Sequence, residues 1–590
     1  MKKLSLLICL FSCLAVFSQQ ESTFKWWNPA EEEESLLEGR IWNSELEDPY
    51  DRLPQKAKRV VRQAVWNLSK HSAGLMIRFR SNAEKIVVRY TVKGNHAMQH
   101  MPATGVSGVD LYAIDSDGNW LWCNGQRNFG EKISFTFSGI QPNDTYHKMG
   151  REYRLYLPLY NQVEWMEIGV EDEAYFQPLP IRMEKPIVVY GTSIAQGACA
   201  SRPGMAWTSI LSRKLDRPLI NLAFSGNGRL EEELIDLLLE VDPKIYILDC
   251  LPNLWDAKNY EDAELSKRIL RSVRSLKAKN PQTPVLLVEH AGYTDGLLVP
   301  ARKTAYSRVN DIQEKAFAQL KAEGYEELYY MSREEIALSL DAMVDGTHPN
   351  DLGMMQYADA YEEKLRQILD EPLGKASTTQ ACIQYREPGN YDWENRHRDI
   401  LKMNQSDPPK TIILANSIVH FWGGLPRTKL VREEESWEKT FTPMGVRNFA
   451  YGWDRIENVL WRVYHDELEE FEAENIILMI GTNNLHLNTD EEILEGLALL
   501  IKAIQHRQAQ ADLRLMGLLP RRAYEERIAQ LNRKLAQLAA ETRVDYADIG
   551  NIFLQQDQKI DEDLFSDGLH PNATGYIKMR EALLPFIQNN

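Results

Sequence analysis

One set of catalytic residue types occurs twice in this chain of 590 residues, in the same order. Each set contains a serine, a glycine, an asparagine and an Asp-x-x-His motif. The members are Ser193, Gly226, Asn253, Asp345 and His348 in the first set, and Ser417, Gly452, Asn483, Asp567 and His570 in the second. The serine and the histidine are 155 positions apart in the first set and 153 in the second. A nucleophile, a base with an orienting carboxylate and oxyanion donors are the groups that serine-dependent acyl transfer needs.

Each residue type has a predicted role in that chemistry. A serine hydroxyl is a weak nucleophile until a base takes its proton, and His348 and His570 are the candidate bases. Asp345 and Asp567 lie three positions earlier, where a carboxylate can accept from the imidazole and fix its tautomer. Backbone N–H groups and an asparagine amide can stabilise the oxyanion. The predicted oxyanion residues are Ser193, Gly226 and Asn253 in the first set, and Ser417, Gly452 and Asn483 in the second.

The elements that must position these residues can be read from the rhythm of the chain. In 185–370 and again in 385–590, short apolar β-runs alternate with helical stretches, and 371–384 forms a linker between them. This alternation indicates a parallel sheet with helices on both faces. Each serine follows the first β-run, each glycine the second and each asparagine the third. Because ligands bind at the carboxyl ends of such strands, the residues of each set are expected to converge there.

Residues 22–182 have a different texture. Short runs alternate apolar and polar residues, as in Lys85–Val92, and turn residues separate them. Period-two patterning with frequent turns is typical of an antiparallel sandwich, here predicted to be jelly-roll-like and accessory to the first α/β domain. The predicted fold class is therefore multidomain: a β-sandwich followed by two α/β/α domains.

The first 18 residues are typical of a secretory signal peptide. Lys2 and Lys3 give the positive end, an apolar run follows, and Ser18 is a small residue at the expected cleavage site. A lipoprotein anchor at Cys13 is the alternative, disfavoured because the apolar run continues past it. No later stretch is long and apolar enough to span a bilayer. We therefore expect export to the periplasm or secretion.

Charge and cysteine content narrow the function classes. A formal net charge of −17 argues against nucleic acid and anionic membranes as partners. Four cysteines remain after signal removal, with no zinc-site spacing, and neither a metal nor a cofactor is predicted. Cys199 and Cys250 each follow a predicted strand near the first site. They could form a disulfide in an exported protein, but two buried thiols are the favoured state.

The two α/β stretches resemble the SGNH (GDSL-like) hydrolase family. The first, with Gly191-Thr-Ser-Ile and Asp249-Cys-Leu-Pro-Asn, resembles the exported bacterial branch that carries a β-sandwich in front. The second, with Asn416-Ser-Ile and Gly481-Thr-Asn-Asn, resembles the platelet-activating-factor acetylhydrolase-like branch. The resemblance implies a flavodoxin-like fold and hydrolysis of small acyl esters, and exported members often deacetylate polysaccharides. Departures concern the residues around the nucleophile and the asparagine: Thr192, Asn416, Pro252 and Asn484.

The resulting hypothesis is a two-headed carbohydrate O-acyl esterase, with O-acetyl as the favoured group. Its partner would be an acylated polysaccharide or oligosaccharide. His290, Trp422 and Trp453 are candidate substrate contacts; the alternative is packing in the protein core for the two tryptophans and a residue at the end of the sheet for His290. Two rival hypotheses stay open at this point: a lipid or lysophospholipid esterase, and a glycan-binding protein in which one or both α/β domains are inactive.

Overall fold

The computed structural model describes residues 23–33, 35–141, 149–386 and 389–588, and the predicted signal peptide lies outside these ranges. The described chain contains two antiparallel sheets, followed by two separate five-stranded parallel sheets. The predicted fold class, a β-sandwich followed by two α/β domains, is confirmed. Among the described helices, none has an apolar stretch of the length needed to cross a bilayer.

The sandwich packs one sheet of order β1-β10-β4-β8-β7 against one of order β11-β3-β9-β5-β6, with β2 paired to β3. Its elements are β1 Phe24–Trp27, β2 Leu37–Glu38, α1 Gln63–Ser69, β3 Met76–Ser81, β4 Lys85–Val92, α2 Ala103–Val106, β5 Asp110–Ile114, β6 Trp120–Cys123, β7 Gln126–Phe129, β8 Ile133–Ser138, β9 Arg151–Tyr156, β10 Val163–Glu171 and β11 Phe176–Pro178. In β4 the alternate residues Ile86, Val88 and Tyr90 are buried between the sheets, as the period-two pattern predicts.

The first α/β domain, called head 1 below, has the strand order β13-β12-β14-β15-β16. Its elements are β12 Ile187–Gly191, α3 Ser193–Gln196, α4 Trp207–Leu215, β13 Leu219–Ala223, α5 Glu232–Leu238, β14 Ile245–Asp249, α6 Asp262–Lys279, β15 Val285–Val288, α7 Pro300–Ala322, β16 Leu328–Met331, α8 Arg333–Ile336 and α9 Asp351–Ile368. The residues of β12, β13, β14 and β15 are all buried, because helices cover both faces of the sheet.

The second α/β domain, head 2, repeats this order as β18-β17-β19-β20-β21. Its elements are α10 Trp393–Ser406, β17 Thr411–Ala415, α11 Ser417–His420, α12 Glu434–Thr440, β18 Val446–Ala450, α13 Ile456–Tyr464, β19 Asn475–Met479, α14 Asp490–Arg507, β20 Asp512–Met516, α15 Glu525–Thr542, β21 Asp545–Ala547 and α16 Ala573–Gln588. Helix α10 precedes the first strand of this domain.

The two heads meet at the amino-terminal edges of their sheets. Asp466, which lies between α13 and β19 of head 2, accepts from Lys244 Nζ at 3.0 Å and from the Lys185 N–H at 2.8 Å. Arg217, just before β13, adds a contact to Asp466 at 3.1 Å. Lys185, Arg217 and Lys244 all precede strands of head 1. The predicted sites lie at the carboxyl ends of the strands, and therefore at the opposite end of each sheet from this contact.

All four described cysteines are free thiols. Cys199 and Cys250 are both buried and are not joined. The sequence left open a disulfide or two buried thiols, and the structure has the two buried thiols.

Candidate active sites

Head 1 brings its serine, histidine and aspartate into a hydrogen-bonded line. Ser193, the first residue of α3, has its Oγ 2.9 Å from His348 Nε2. His348 Nδ1 lies 2.8 Å from Asp345 Oδ2. The other carboxylate oxygen, Asp345 Oδ1, accepts the backbone N–H groups of Thr347 and His348. Since a carboxylate only accepts, Nδ1 carries the proton and Nε2 presents a lone pair to the serine hydroxyl.

Head 2 repeats the same line with closely similar distances. Ser417 Oγ is 2.8 Å from His570 Nε2, and His570 Nδ1 is 2.7 Å from Asp567 Oδ2. Asp567 Oδ1 accepts the N–H groups of Leu569 and His570. Both sequence-predicted triads are therefore assembled, each within one domain.

The carboxylates are held in their charged form. Burial acts to raise the pKa of Asp345 and of Asp567, but the hydrogen bonds from His348 and His570 outweigh it, and both pKa values lie below the ordinary aspartate range. Burial also lowers the pKa of His570 despite the attraction of Asp567. A neutral base beside an ionised aspartate is the starting state that proton abstraction from serine requires.

The residue three positions after each serine organises the neighbouring loop. In head 1, Gln196 Oε1 accepts the N–H of Ser225 at 2.9 Å. In head 2, His420 Nδ1 accepts the N–H of Gly452 at 2.8 Å. Gln196 and His420 are polar residues buried in the first turn after the nucleophile, where an apolar side chain would be expected. A polar residue three positions after each serine is therefore the sequence signal that identifies them, and neither residue is among those predicted above from the sequence.

The oxyanion loops of the two heads are equivalent by strand register. Gly191 pairs with Ala223 in head 1 and Ala415 pairs with Ala450 in head 2. Counting three residues on from Ala223 gives Gly226, with φ +69°, and three on from Ala450 gives Trp453, with φ +64°. Trp453, and not Gly452, therefore occupies the position of Gly226.

The prediction that Gly452 supplies an oxyanion donor is wrong for a simple reason. Its N–H already donates to His420, as the N–H of Ser225 donates to Gln196 in head 1. The register assigns the backbone donor of head 2 to Trp453. The sequence favoured the glycine because a glycine lets the backbone approach a ligand closely, whereas here a tryptophan in left-handed conformation occupies the position.

The two asparagines are held by different partners. Asn253 Oδ1 accepts the N–H of Gly228 at 3.1 Å, which fixes the amide and leaves its nitrogen as the donating group. Asn483 Nδ2 instead donates to the Asp454 carbonyl at 2.9 Å, so one of its two N–H groups is used and the second is available to an oxyanion. Each asparagine side chain is therefore held by a backbone partner of its own oxyanion loop, and its role as an oxyanion donor stays a prediction.

Two of the three candidate substrate residues belong to the protein core. His290 is 1% exposed, accepts the Gly292 N–H on Nδ1, and burial lowers its pKa to about 3. Trp422 is fully buried; its indole N–H donates to Ser436 and its ring packs on Trp437. Their prediction as substrate contacts is wrong because both side chains point into the domain. Trp453 is half-buried on the oxyanion loop.

The sandwich contributes directly to head 1. Tyr160 Oη donates to the Ser193 carbonyl at 3.2 Å. Arg202, which follows the nucleophile helix, is hydrogen-bonded to Tyr112 Oη at 2.7 Å and ion-paired with Asp110. His100, exposed on a sandwich loop, has its ring 5.8 Å from that of His348. The sandwich therefore forms one wall of the first site and anchors the loop behind the serine.

Models of known protein families match three separate parts of the chain. Models of the GDSL-like lipase/acylhydrolase family match residues 184–366 and, separately, 416–577. A third model, for the N-terminus of the SGNH-hydrolase type of esterase, matches residues 24–176.

Individual known proteins are similar to parts of this chain. Platelet-activating factor acetylhydrolase IB subunit alpha2 of Rattus norvegicus is 31% identical over 201 residues, covering 33% of this chain and 83% of that protein. The alpha1 subunit of Bos taurus is 28% identical over 200 residues, covering 33% and 82%. A crystal structure from Bacteroides ovatus, assigned as a GDSL-like lipase, is 29% identical with a TM-score of 0.54, covering 59% of this chain and 98% of its own.

Replacing His420 tests its role as a positioning residue for head 2. In a Ser193→Ala background, where only Ser417 turns over, His420→Ala leaves the buried Gly452 N–H without its acceptor. We expect kcat to fall about tenfold or more, since the oxyanion loop loses its anchor. His420→Gln should restore most of the rate, because Gln196 makes the same contact in head 1. Equal rates for the alanine and glutamine variants would contradict this role.

The pH dependence of head 2 follows from His570. The histidine must be neutral to act as a base, and burial lowers its pKa below the ordinary histidine value. The neutral form therefore persists to lower pH. In the Ser193→Ala variant, kcat/KM for an activated acetyl ester should rise with pH and reach half its plateau below the pKa of a histidine in a peptide. A midpoint at or above that value would be inconsistent with the site.

Proposed function

This chain belongs to the GDSL-like (SGNH) hydrolase family, with two such domains behind an SGNH-type N-terminal domain, and we propose that it is an exported esterase with two active sites that removes O-acyl groups, chiefly acetyl, from carbohydrate. The observation that carries the catalytic part is the pair of complete Ser–His–Asp lines, at 2.9 and 2.8 Å in head 1 and 2.8 and 2.7 Å in head 2.

Each site can run the same two-step reaction. The serine Oγ attacks the ester carbonyl carbon while histidine Nε2 takes the hydroxyl proton. The carbonyl oxygen becomes an oxyanion, stabilised by the backbone N–H of the serine and of Gly226 or Trp453, and by the asparagine amide. Collapse expels the sugar oxygen, which takes the proton from histidine. Water, deprotonated by the same histidine, then attacks the acyl-serine. The bond between the acyl carbon and Oγ breaks, the histidine returns its proton to the serine oxygen, and the carboxylic acid leaves.

Two independent sites fit the arrangement of the domains. Each nucleophile, base and asparagine comes from a single head, so neither site needs the other to be complete. The two heads contact each other at the amino ends of their strands, through Lys185, Lys244 and Asp466. Because catalysis occurs at the opposite edges, the two sites are suited to act on separate acyl groups of a polymer.

The surroundings of the serines favour a polar substrate. Beside the head 1 site lie His100, and Arg302, which donates to Thr347 Oγ1 at 3.0 Å. In head 2, Arg432 is 3.9 Å from Asp567, and Arg521 donates to the Thr482 carbonyl. Hydroxyl-rich sugars suit hydrogen-bonding side chains of this kind better than an acyl chain does.

One observation favours a lipid ester as a second candidate for head 1. Leu297 and Leu298 are 84% and 87% exposed. They lie on a loop tied to the catalytic histidine loop, since the Thr294 N–H donates to the Gly346 carbonyl. Exposed large apolar residues beside an active site are a feature of lipid-facing enzymes. Replacing both leucines with serine should leave glycan deacetylation unchanged under the favoured proposal and impair hydrolysis of micellar esters under the second.

Export is proposed from the sequence pattern of residues 1–18, with the periplasm or the extracellular medium as the destination. Polysaccharide substrates are met in those compartments. Fractionation of cells that express the full chain, with detection of the cleaved amino terminus, tests this part separately from catalysis.

The function is tested by acetate release from a panel of acetylated glycans, using the wild type, Ser193→Ala, Ser417→Ala and the double variant. Each single variant should lose one activity by on the order of 10⁴-fold and keep the other. NMR of the residual acetyl groups should show a different pattern for each single variant, since the loops around the two serines differ. No acetate release by any form would refute the proposed substrate. Loss of all turnover in one single variant would make the remaining head a scaffold or a glycan-binding domain.

A further inference from the structure

Three metal-ligating side chains converge at the head 1 active site: His100, Cys199 and His348. One potential ligand atom from each lies within 4.8 Å of the other two. The residues come from different parts of the chain: a sandwich loop, the loop after the nucleophile helix and the catalytic histidine loop. Because the ligands are so far apart in sequence, they form no spacing motif from which a metal site could be predicted.

The histidine at the centre of this group is already oriented as a metal ligand. His348 Nδ1 donates to Asp345, so Nε2 holds the lone pair. Metal-bound histidines commonly donate their other ring N–H to a carboxylate in this way, which raises the basicity of the ligating nitrogen. The same Nε2 is 2.9 Å from Ser193 Oγ. A metal ion on Nε2 would therefore take the lone pair that the serine proton needs.

The other two residues complete the coordination set. Cys199 is buried at 5% exposure and its N–H donates to the Pro349 carbonyl, which holds it against the catalytic loop. His100 is exposed on its loop, so its side chain can move to shorten the remaining separation. Two imidazoles and one thiolate, with a fourth position open to water, form a familiar zinc-binding set.

We propose that head 1 binds one Zn²⁺ ion through His100, Cys199 and His348, and that this ion reversibly blocks the Ser193 site. Binding forms a zinc–sulfur and two zinc–nitrogen bonds, and the thiol proton of Cys199 passes to solvent. The ion is an inhibitor and takes no part in hydrolysis. The inhibition readout rests on the proposed esterase activity, whereas the binding readout does not.

The described residues of head 2 contain no such group of ligands, so head 2 serves as an internal control. A ring that lies beside its catalytic histidine is that of Phe421, 6.1 Å from His570. The residue six positions after Ser417 is Gly423, where head 1 has Cys199. Neither replacement offers a metal ligand, so zinc should distinguish the two heads.

A second group of possible metal ligands among the described residues consists of three carboxylates, and it is not expected to bind the ion. Glu47, Asp48 and Asp51 also lie close together. The Lys70 ammonium sits among them at 2.8, 3.0 and 2.6 Å, so a cation already occupies the position that a metal ion would take.

Binding is tested on the full mature chain with Co²⁺, whose thiolate coordination gives a charge-transfer absorption band, and by displacement with Zn²⁺. The wild type should bind one equivalent and show the band. Cys199→Ser should abolish the band. His100→Ala should weaken binding by at least about 10-fold, since loss of a direct ligand costs more than loss of an outer partner. Cys250→Ser is the matched control, because that buried thiol bonds to the Tyr190 carbonyl away from the group, and it should behave like the wild type. A band that survives in Cys199→Ser, or equal affinity in His100→Ala, would overturn the proposal.

Inhibition is measured on the two single-head variants with an activated acetyl ester. Zn²⁺ should inhibit Ser417→Ala, in which only head 1 works, and a chelator should restore the rate. Ser193→Ala, in which only head 2 works, should keep its rate at the same Zn²⁺ concentration. Adding His100→Ala to the head 1 form should raise the inhibitory concentration about 10-fold or more. Equal inhibition of both heads would contradict the site. Metal binding without any hydrolysis by either head would instead retain the zinc site and refute the proposed esterase.

Discussion

The parallel register at the centre of each α/β sheet is the constraint on which both sites depend. Gly191 ends its strand opposite Ala223 and Asp249, and Ala415 ends opposite Ala450 and Met479. This alignment brings three loops, distant in sequence, to one edge. The serine leaves the central strand, the oxyanion loop leaves one neighbour and the asparagine leaves the other. A shift of one residue in any pairing would turn these groups away from the catalytic histidine.

On this common frame the heads have diverged in how they hold the oxyanion loop. Gln196 anchors it in head 1 and His420 anchors it in head 2, through the same backbone position. Gly226 takes the left-handed conformation freely, whereas Trp453 takes it at a cost of about 1–2 kcal/mol. A strained tryptophan beside a nucleophile is more consistent with a role in the site than in folding. Substrate preference is therefore expected to differ between the heads even though the reaction is the same.

Much of this architecture could be predicted from the sequence. The duplicated order of serine, asparagine and Asp-x-x-His predicted both triads. The prediction worked because neighbouring parallel strands bring their carboxyl ends together, whatever the sequences of the helices that connect them. The prediction of Gly452 was wrong because the oxyanion position is taken by the next residue, Trp453, in a left-handed conformation that is unusual for tryptophan. His290 and Trp422 failed because a strand-end position does not reveal whether a side chain points outward or into the core. The convergence of His100 and Cys199 on His348 depends on how the sandwich sits on head 1, which no local pattern encodes.

The central claim is that one chain holds two complete and independent serine nucleophiles. Titration with a serine-reactive fluorophosphonate, followed by intact-mass measurement, tests it most directly because it requires no knowledge of the substrate. The account predicts two labels on the wild type, at Ser193 and Ser417, one label on each single serine-to-alanine variant, and none on the double variant. One label on the wild type, confined to a single serine, would contradict it.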